Sequence, residues 1–279
     1  MAKLKHIFIY PIKGLPGILL NSAIVEPRGL QFDRSYMLVD ENNNFITQRN
    51  FPILSQFILS KDALGFKVSY PNWDQSIHIP FIVTGDEIEV QVWGDLVKAI
   101  CLIDAVNSWF SNILKSTCKL VYMPNSSHRK LDETYNRGND IVSFADGFPL
   151  LLIGESSLSD LNNRLENPLN MDRFRPNLVF KGGLAFEEDL FAEFSIGENT
   201  FLACKPCARC VVTTINQQTG AMGKEPLKTL ANYRMHENKI YFGENVMPLN
   251  FGGTIQIGDD LKIISKKERK QFRILNSEF

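Results

Sequence analysis

Cysteine is scarce in this 279-residue chain: five residues, an odd number, with no secretory apolar segment ahead of them. That pattern does not suit a disulfide framework and points to a reducing, cytoplasmic setting. Long hydrophobic runs are also missing. The apolar start at residues 4–10 is interrupted by Lys5 and His6 and closed by Pro11 and Lys13, far short of a membrane span, so it reads as a first strand with no membrane role. Nor is there an excess of charge of one sign. Thirty basic against 31 acidic residues give a net −1, which leaves no electrostatic footprint for nucleic acid. Any phosphate must be gripped locally. Internal repeats and low-complexity stretches are absent too. What remains, 44% hydrophobic and 22% charged, is the composition of a folded globular chain with room for one large domain or two modest ones.

The pattern predicts a mainly β fold with some helices (α+β). Half-apolar runs separated by turn residues fill the first hundred positions, as in "SYMLVD", "ENNN" and "FITQ" over residues 35–48, which reads as a hairpin. Further strands are expected at 66–70, 77–83, 88–93 and 97–102, forming a β-barrel-like unit over residues 1–120. Near its end Val106, Trp109, Phe110, Ile113 and Leu114 recur at helical spacing behind Asp104, an acidic N-cap candidate. A second, barrel-forming β unit is expected over 121–268. It has a buried strand at 150–153, a serine-capped helix at 156–165 and strands from Phe194 to Ile264. Residues 269–279 form a tail. The basic run at 266–270 reads as a solvated end, and the whole as a monomer, since no assembly face is advertised.

Three cysteines, Cys204, Cys207 and Cys210, fall in "CKPCARC" just before a β-branched run. Thiolates at this spacing can converge on zinc or an iron–sulfur cluster, but no fourth ligand follows at finger-like spacing. They can also be small core residues. A single exposed thiolate is the more economical reading, and Cys210 is the best placed because Arg209 precedes it. Elsewhere lone cations stand at strand ends: Lys13 in "YPIKGLPG", Arg34 in "FDRSYMLVD", and Arg173 with Arg175 in "DRFRPNLVF". Pro176 is expected to push Arg175 into extended backbone, so that the two arginines project together toward a phosphate or carboxylate. Ser156 and Ser157, at a helix start, can close an anion site or serve as ordinary caps.

Taken in order, "YPIKGLPG", "GLQFDRSYMLVD", "FADGFPLLLIGESSLSDLN", "DRFRPNLVF", "CARCVVTTINQQTG" and "FGENVMPLNFGGTIQIGD" resemble the MOSC-domain proteins with an N-terminal β-barrel domain. Within them the chain is most similar to the amidoxime-reducing component and its YcbX-like bacterial relatives. The resemblance implies a molybdenum cofactor (molybdenum–molybdopterin) with Cys210 as the protein ligand to the metal. It places Lys13, Arg34, Ser157, Arg175 and Asn177 on the phosphate and pterin, and Ala208 and Arg209 beside the metal. Cys207 matches a second cysteine of the motif, and Cys204 has no transferable role. Gly14 stands where some relatives have serine and Asn245 where animal enzymes tend to have tyrosine. The implied activity is reduction of N-hydroxylated compounds, a detoxification, with electrons from an external ferredoxin-like, cytochrome b5-like or flavin reductase donor, since no further cysteine cluster follows. Pyridoxal phosphate binding travels with the family as a label only. The alternative is a carrier that delivers cofactor, or sulfur as a cysteine persulfide.

Overall fold

A computed structural model describes residues 1–138, 140–268 and 272; the expected tail, 269–279, lies outside the described residues apart from Phe272. The architecture is mainly β, with three α-helices among the described residues. Seven strands close a barrel. Their order around it is Leu150–Gly154, Leu178–Lys181, Ala2–Ile9, Asp260–Lys266, Phe191–Ile196, Asn199–Ala208 and Lys239–Pro248, the last pairing back onto Leu150–Gly154. Only the pairing of Leu150–Gly154 with Leu178–Lys181 is parallel.

One face of each strand fills the interior, re-phased by a bulge between Phe191 and Phe194. Along Phe191–Ile196 the residues Phe191, Phe194 and Ile196 are fully buried, and Phe194 stacks on Phe201 at 5.4 Å between ring centres. Burying such rings at about 25 cal/mol per Å² of apolar surface is the main stabilising contribution. Leu4, Ile7 and Ile9 of the first strand enter the same core, and that strand pairs with both Leu178–Lys181 and Asp260–Lys266. The start of the chain is thus a stave of the barrel built by the C-terminal half.

Of the other N-terminal strands, five form a sheet in the order Glu87–Val92, Asp95–Cys101, Lys119–Tyr122, Tyr36–Val39 and Ile12–Lys13, while Ile18–Leu20 pairs with Ala2–Ile9, and Ser22–Glu26 pairs with Gly29–Leu30 and Thr254–Gln256. A three-stranded sheet, Ile58–Lys61, Gly65–Ser69 and Ile77–Pro80, stands beside the five-stranded one. Strand Lys119–Tyr122 straddles residue 120. Helix α1 (Asp104–Leu114) buries the five apolar residues expected of it, but its N-cap is Ile103, and Asp104 is the first helical residue. Its carboxylate complements the positive end of the helix from within the first turn. Helix α2 spans Glu155–Asn162 and α3 spans Leu227–Ala231. No helix among the described residues is long and apolar enough to cross a membrane.

The hairpin expected at 35–48 forms only in its first arm. Phe45 meets Val39 through an isolated bridge, and the chain then leaves the sheet as a loop that runs to the 3-10 turn Pro52–Gln56. That loop reaches the C-terminal half. Gln48 donates to the carbonyl of Gly14 at 2.7 Å and faces Gln217, while Gln56 donates to the carbonyl of Thr219 at 3.0 Å. Lys267, in the basic run read as a solvated end, instead donates to buried Glu244 and to the carbonyl of Ala203.

Candidate active site

One cavity is lined by residues of both halves. Lys13, Arg34, Arg49, Arg173, Arg175 and Arg209 face it, against a single carboxylate, Asp146. At one end two guanidiniums share one ring: the Arg34 and Arg175 carbons lie 4.4 and 4.3 Å from the centre of Tyr10. The Tyr10 hydroxyl donates to the carbonyl of Pro176. Like charges this close repel, so the arrangement needs neutralising groups or an anionic ligand. Asp33 supplies part of that. It is buried, accepts the Tyr10 N–H at 2.7 Å and pairs with Arg34, while desolvation pushes its pKa up. Burial pulls Arg175 down to about 10, which leaves it charged at neutral pH. Lys13 is buried, donates to the carbonyl of Phe144 at 2.8 Å and pairs with Asp146.

Arg175 is not extended, as Pro176 led one to expect. It adopts left-handed backbone (φ 55°, ψ 47°), closing the turn Met171–Phe174 with its N–H on the carbonyl of Asp172. Arg34 is left-handed as well (φ 48°). Such backbone is uncommon outside glycine and persists where surroundings enforce it. Here the Tyr10 stack and the bond from Arg175 to the carbonyl of Leu15 do so.

At the other end lies the thiol. Strand Asn199–Ala208 carries two register shifts against its neighbour, one before Lys205 and one after Pro206, so even spacing does not decide where the cysteines point. Burial, aided by nearby Glu244, pushes the Cys204 thiol up to about 12. Cys207 lies 3.1 Å from Nη1 of Arg209. Cys210 is past the strand end, exposed, at the start of the turn Val211–Thr214. Its carbonyl accepts both the N–H and the hydroxyl of Thr213, and Arg173 donates to the Thr213 carbonyl at 3.1 Å. The backbone is therefore fixed while the sulfur faces the cavity, 3.6 Å from Nη2 of Arg49.

Among the described residues no three His, Cys, Asp or Glu side chains converge on a point that could hold a metal. The zinc and iron–sulfur readings lose their ligand set. One soft thiol cannot retain a metal by itself, so a metal here must arrive with its own donors. Cations at the far end suit an anionic tail on the same ligand. Arg209 adds a buried Nε with no hydrogen-bond partner, a donor left over inside the site. The residues present therefore fit a metal carried by an anionic organic cofactor.

The cavity gathers Lys13, Arg34, Arg175, Asn177, Ala208, Arg209 and Cys210. Ser157, expected at the phosphate, is not among them. It is fully buried; its hydroxyl donates to Glu188 at 2.9 Å and accepts the Phe186 N–H at 2.8 Å. The start of α2 does meet a carboxyl group, but an internal one: Glu188 also accepts the Gly154 N–H. Asn177 reaches the cavity as a brace, bonding Arg34, the Leu151 N–H and the carbonyl of Phe8. Cys101 and Cys118 lie elsewhere, beside Asn107 and Ser111 of α1.

Four cavity residues or their supports went unread in the sequence: Tyr10, Arg49, Trp93 and Asp146. Trp93 carried a signal, a large aromatic immediately before Gly94 at a hairpin turn, where small polar residues are the rule. Arg49 and Asp146 carried none beyond their charge.

Comparison with known sequences agrees with this picture. The family model "MOSC domain" matches residues 139–262 and "MOSC N-terminal beta barrel domain" matches residues 1–117. Mitochondrial amidoxime-reducing component 1 of Mus musculus is 32% identical over 282 residues, covering 94% of this chain and 82% of the relative. Its Homo sapiens counterpart is 30% identical with the same coverage. Molybdenum cofactor sulfurase of Oryza sativa is 31% identical over 86% of this chain, which spans only 32% of that larger protein. The chain belongs to the MOSC-domain proteins that carry an N-terminal MOSC β-barrel domain.

Proposed function

We propose that this protein is a molybdenum-cofactor-dependent reductase of N-hydroxylated compounds, converting an N–OH group with two electrons and two protons to N–H and water. The observation that carries the reading is the cavity itself, with an exposed Cys210 thiol at one end and Lys13, Arg34 and Arg175 at the other. Bound there, the cofactor would supply the two-electron redox change and take up oxygen. The chain contributes the rest. Cys210 ligates the metal, and Lys13, Arg34 and Arg175 grip the phosphate. Asn177 holds Arg34 in place, Ala208 and Arg209 wall the metal end, and Thr213 with Arg173 fixes the Cys210 backbone. Electrons come from a separate ferredoxin-like, haem or flavin protein, and the enzyme works as a cytoplasmic monomer.

The test is molybdenum and pterin content per chain, followed by anaerobic turnover of an N-hydroxylated purine by the loaded protein with a chemical reductant. Loaded protein without turnover would overturn the reductase reading in favour of cofactor or sulfur delivery. The similarity to molybdenum cofactor sulfurase keeps that second reading in view.

A further inference from the structure

Of the cations around the cavity, Arg49 is differently placed. Each of the others is tied to at least one oxygen of the chain: Lys13 to Asp146 and a carbonyl, Arg34 to Asp33 and Asn177, Arg173 to the Thr213 carbonyl, Arg175 to the Leu15 carbonyl, and Arg209 to the Phe174 carbonyl. Arg49 has one weak partner, the Cys210 sulfur at 3.6 Å, and among the described residues neither a carboxylate nor a carbonyl takes its other N–H groups. Half-buried at the cavity wall with no oxygen of the chain as partner, its guanidinium has donors to offer a ligand acceptor in exchange for water.

Its position is also enforced. The Arg49 guanidinium lies 5.0 Å from the centre of the Trp93 ring. Trp93 is itself anchored: its indole N–H donates to Asp146 at 3.3 Å, and its ring packs on Phe45 with centres 4.9 Å apart. Trp93 occupies left-handed backbone (φ 56°), costly for a bulky residue and tolerated where the fold holds a side chain in place. Both residues come from the N-terminal half, whereas the Cys210 thiol that Arg49 meets comes from the C-terminal half.

We infer that Arg49, seated on Trp93, is the substrate-positioning residue of this site, donating hydrogen bonds to the oxygen of the substrate's N–O group beside the Cys210 end of the cavity. The inference rests on the reductase reading for the identity of the substrate, and on the Arg49 geometry for the rest. Lys13, Arg34 and Arg175 hold the cofactor, so loss of Arg49 leaves loading intact and weakens substrate alone.

The experiment compares wild type, Arg49→Ala, Trp93→Ala and Trp93→Phe as cofactor-loaded proteins, with benzamidoxime as probe. Arg49→Ala is expected to keep the wild-type molybdenum content and raise KM about three- to tenfold, the worth of one net hydrogen bond, with kcat changed much less. Trp93→Ala shifts KM the same way, and Trp93→Phe, which retains a ring under the guanidinium, restores it. Unchanged KM in Arg49→Ala overturns the inference, as does loss of molybdenum, which would move Arg49 to the cofactor grip. Quenching by benzamidoxime of the part of the tryptophan fluorescence that Trp93→Phe removes gives a dissociation constant without turnover. If loaded wild type binds the probe but does not reduce it, the reductase reading fails. Arg49 is then judged by binding alone, and equal constants in wild type and Arg49→Ala overturn its role.

Discussion

Arg34 donates from Nη1 to Oδ1 of Asn177 at 2.8 Å, and this one bond ties a cavity cation of the N-terminal half to a strand entrance of the barrel. Asn177 is engaged at both ends of its amide: its oxygen also accepts the Leu151 N–H, and its nitrogen donates to the carbonyl of Phe8. Asn177→Ala leaves buried backbone groups unpaired and releases Arg34. The expected outcome is a loss of roughly 2–4 kcal/mol in urea unfolding, together with reduced pterin occupancy. Wild-type occupancy in that variant would make Asn177 a fold brace only.

What could be read from sequence divides by range. Helix α1 and the Leu150–Gly154 strand are written in local periodicity, and so were legible. The pairing of Lys3 with Asp260 and with Lys181 is not, because no local pattern says which distant edge a strand will fill. The same limit governs the site. Cys210, Lys13, Arg34 and Arg175 stand in motifs, whereas Arg49 reaches the cavity only because a loop that leaves the five-stranded sheet lands against Cys210. Ser157 falls outside the cavity lining for a different reason. A serine at a helix start looks the same in sequence whether it meets an anionic ligand or, as here, the side chain of Glu188.

That difference is measurable. Ser157→Ala removes a buried hydroxyl that both donates to Glu188 and accepts the Phe186 N–H, so it should cost about 1–3 kcal/mol of folding stability. Pterin content per folded chain should stay at the wild-type level. A variant of normal stability that loses pterin would return Ser157 to the phosphate.

Glu188 also sets a pH dependence. Burial, reinforced by neighbouring Asp189, pushes its pKa up from 4.5 to about 7. The folded state therefore keeps a proton that the unfolded chain releases between those values, so stability falls as pH rises through that window and levels off above it. Glu244, raised by burial to about 8, acts in the same direction. Glu188→Gln should flatten the profile, removing roughly 3 kcal/mol of the difference between pH 5 and pH 8 in urea unfolding. An unchanged slope would mean that Glu188 is already ionised at pH 5.

Beside it, Arg234 holds Asp189 through two bonds of 2.7 and 2.9 Å, with both side chains almost fully buried. The guanidinium lies 4.2 Å from the Phe186 ring centre and 4.0 Å from that of Phe272. Removing one partner strands the other charge in a medium that solvates it poorly. Arg234→Ala is therefore expected to cost about 3–5 kcal/mol, and Arg234→Met combined with Asp189→Leu should recover much of it. If the double variant is no more stable than Arg234→Ala, the cost comes from lost packing rather than from the unpaired carboxylate.

The cysteines offer the sharpest contrast, because three thiols within seven residues sit in three environments. Cys210 is exposed with its backbone pinned by Thr213, so Cys210→Ser should leave the melting temperature of the cofactor-free protein within a degree or two. It should also abolish N-reduction and deplete molybdenum, since a hydroxyl is a poor ligand for a soft metal. Cys204, whose thiol is pushed up to about 12, stays protonated at working pH, and Cys204→Ser should retain both metal and turnover. Cys101→Ala, remote at α1, should be equally quiet. Full activity in Cys210→Ser, or metal loss in Cys204→Ser, would mean that a different sulfur serves the metal.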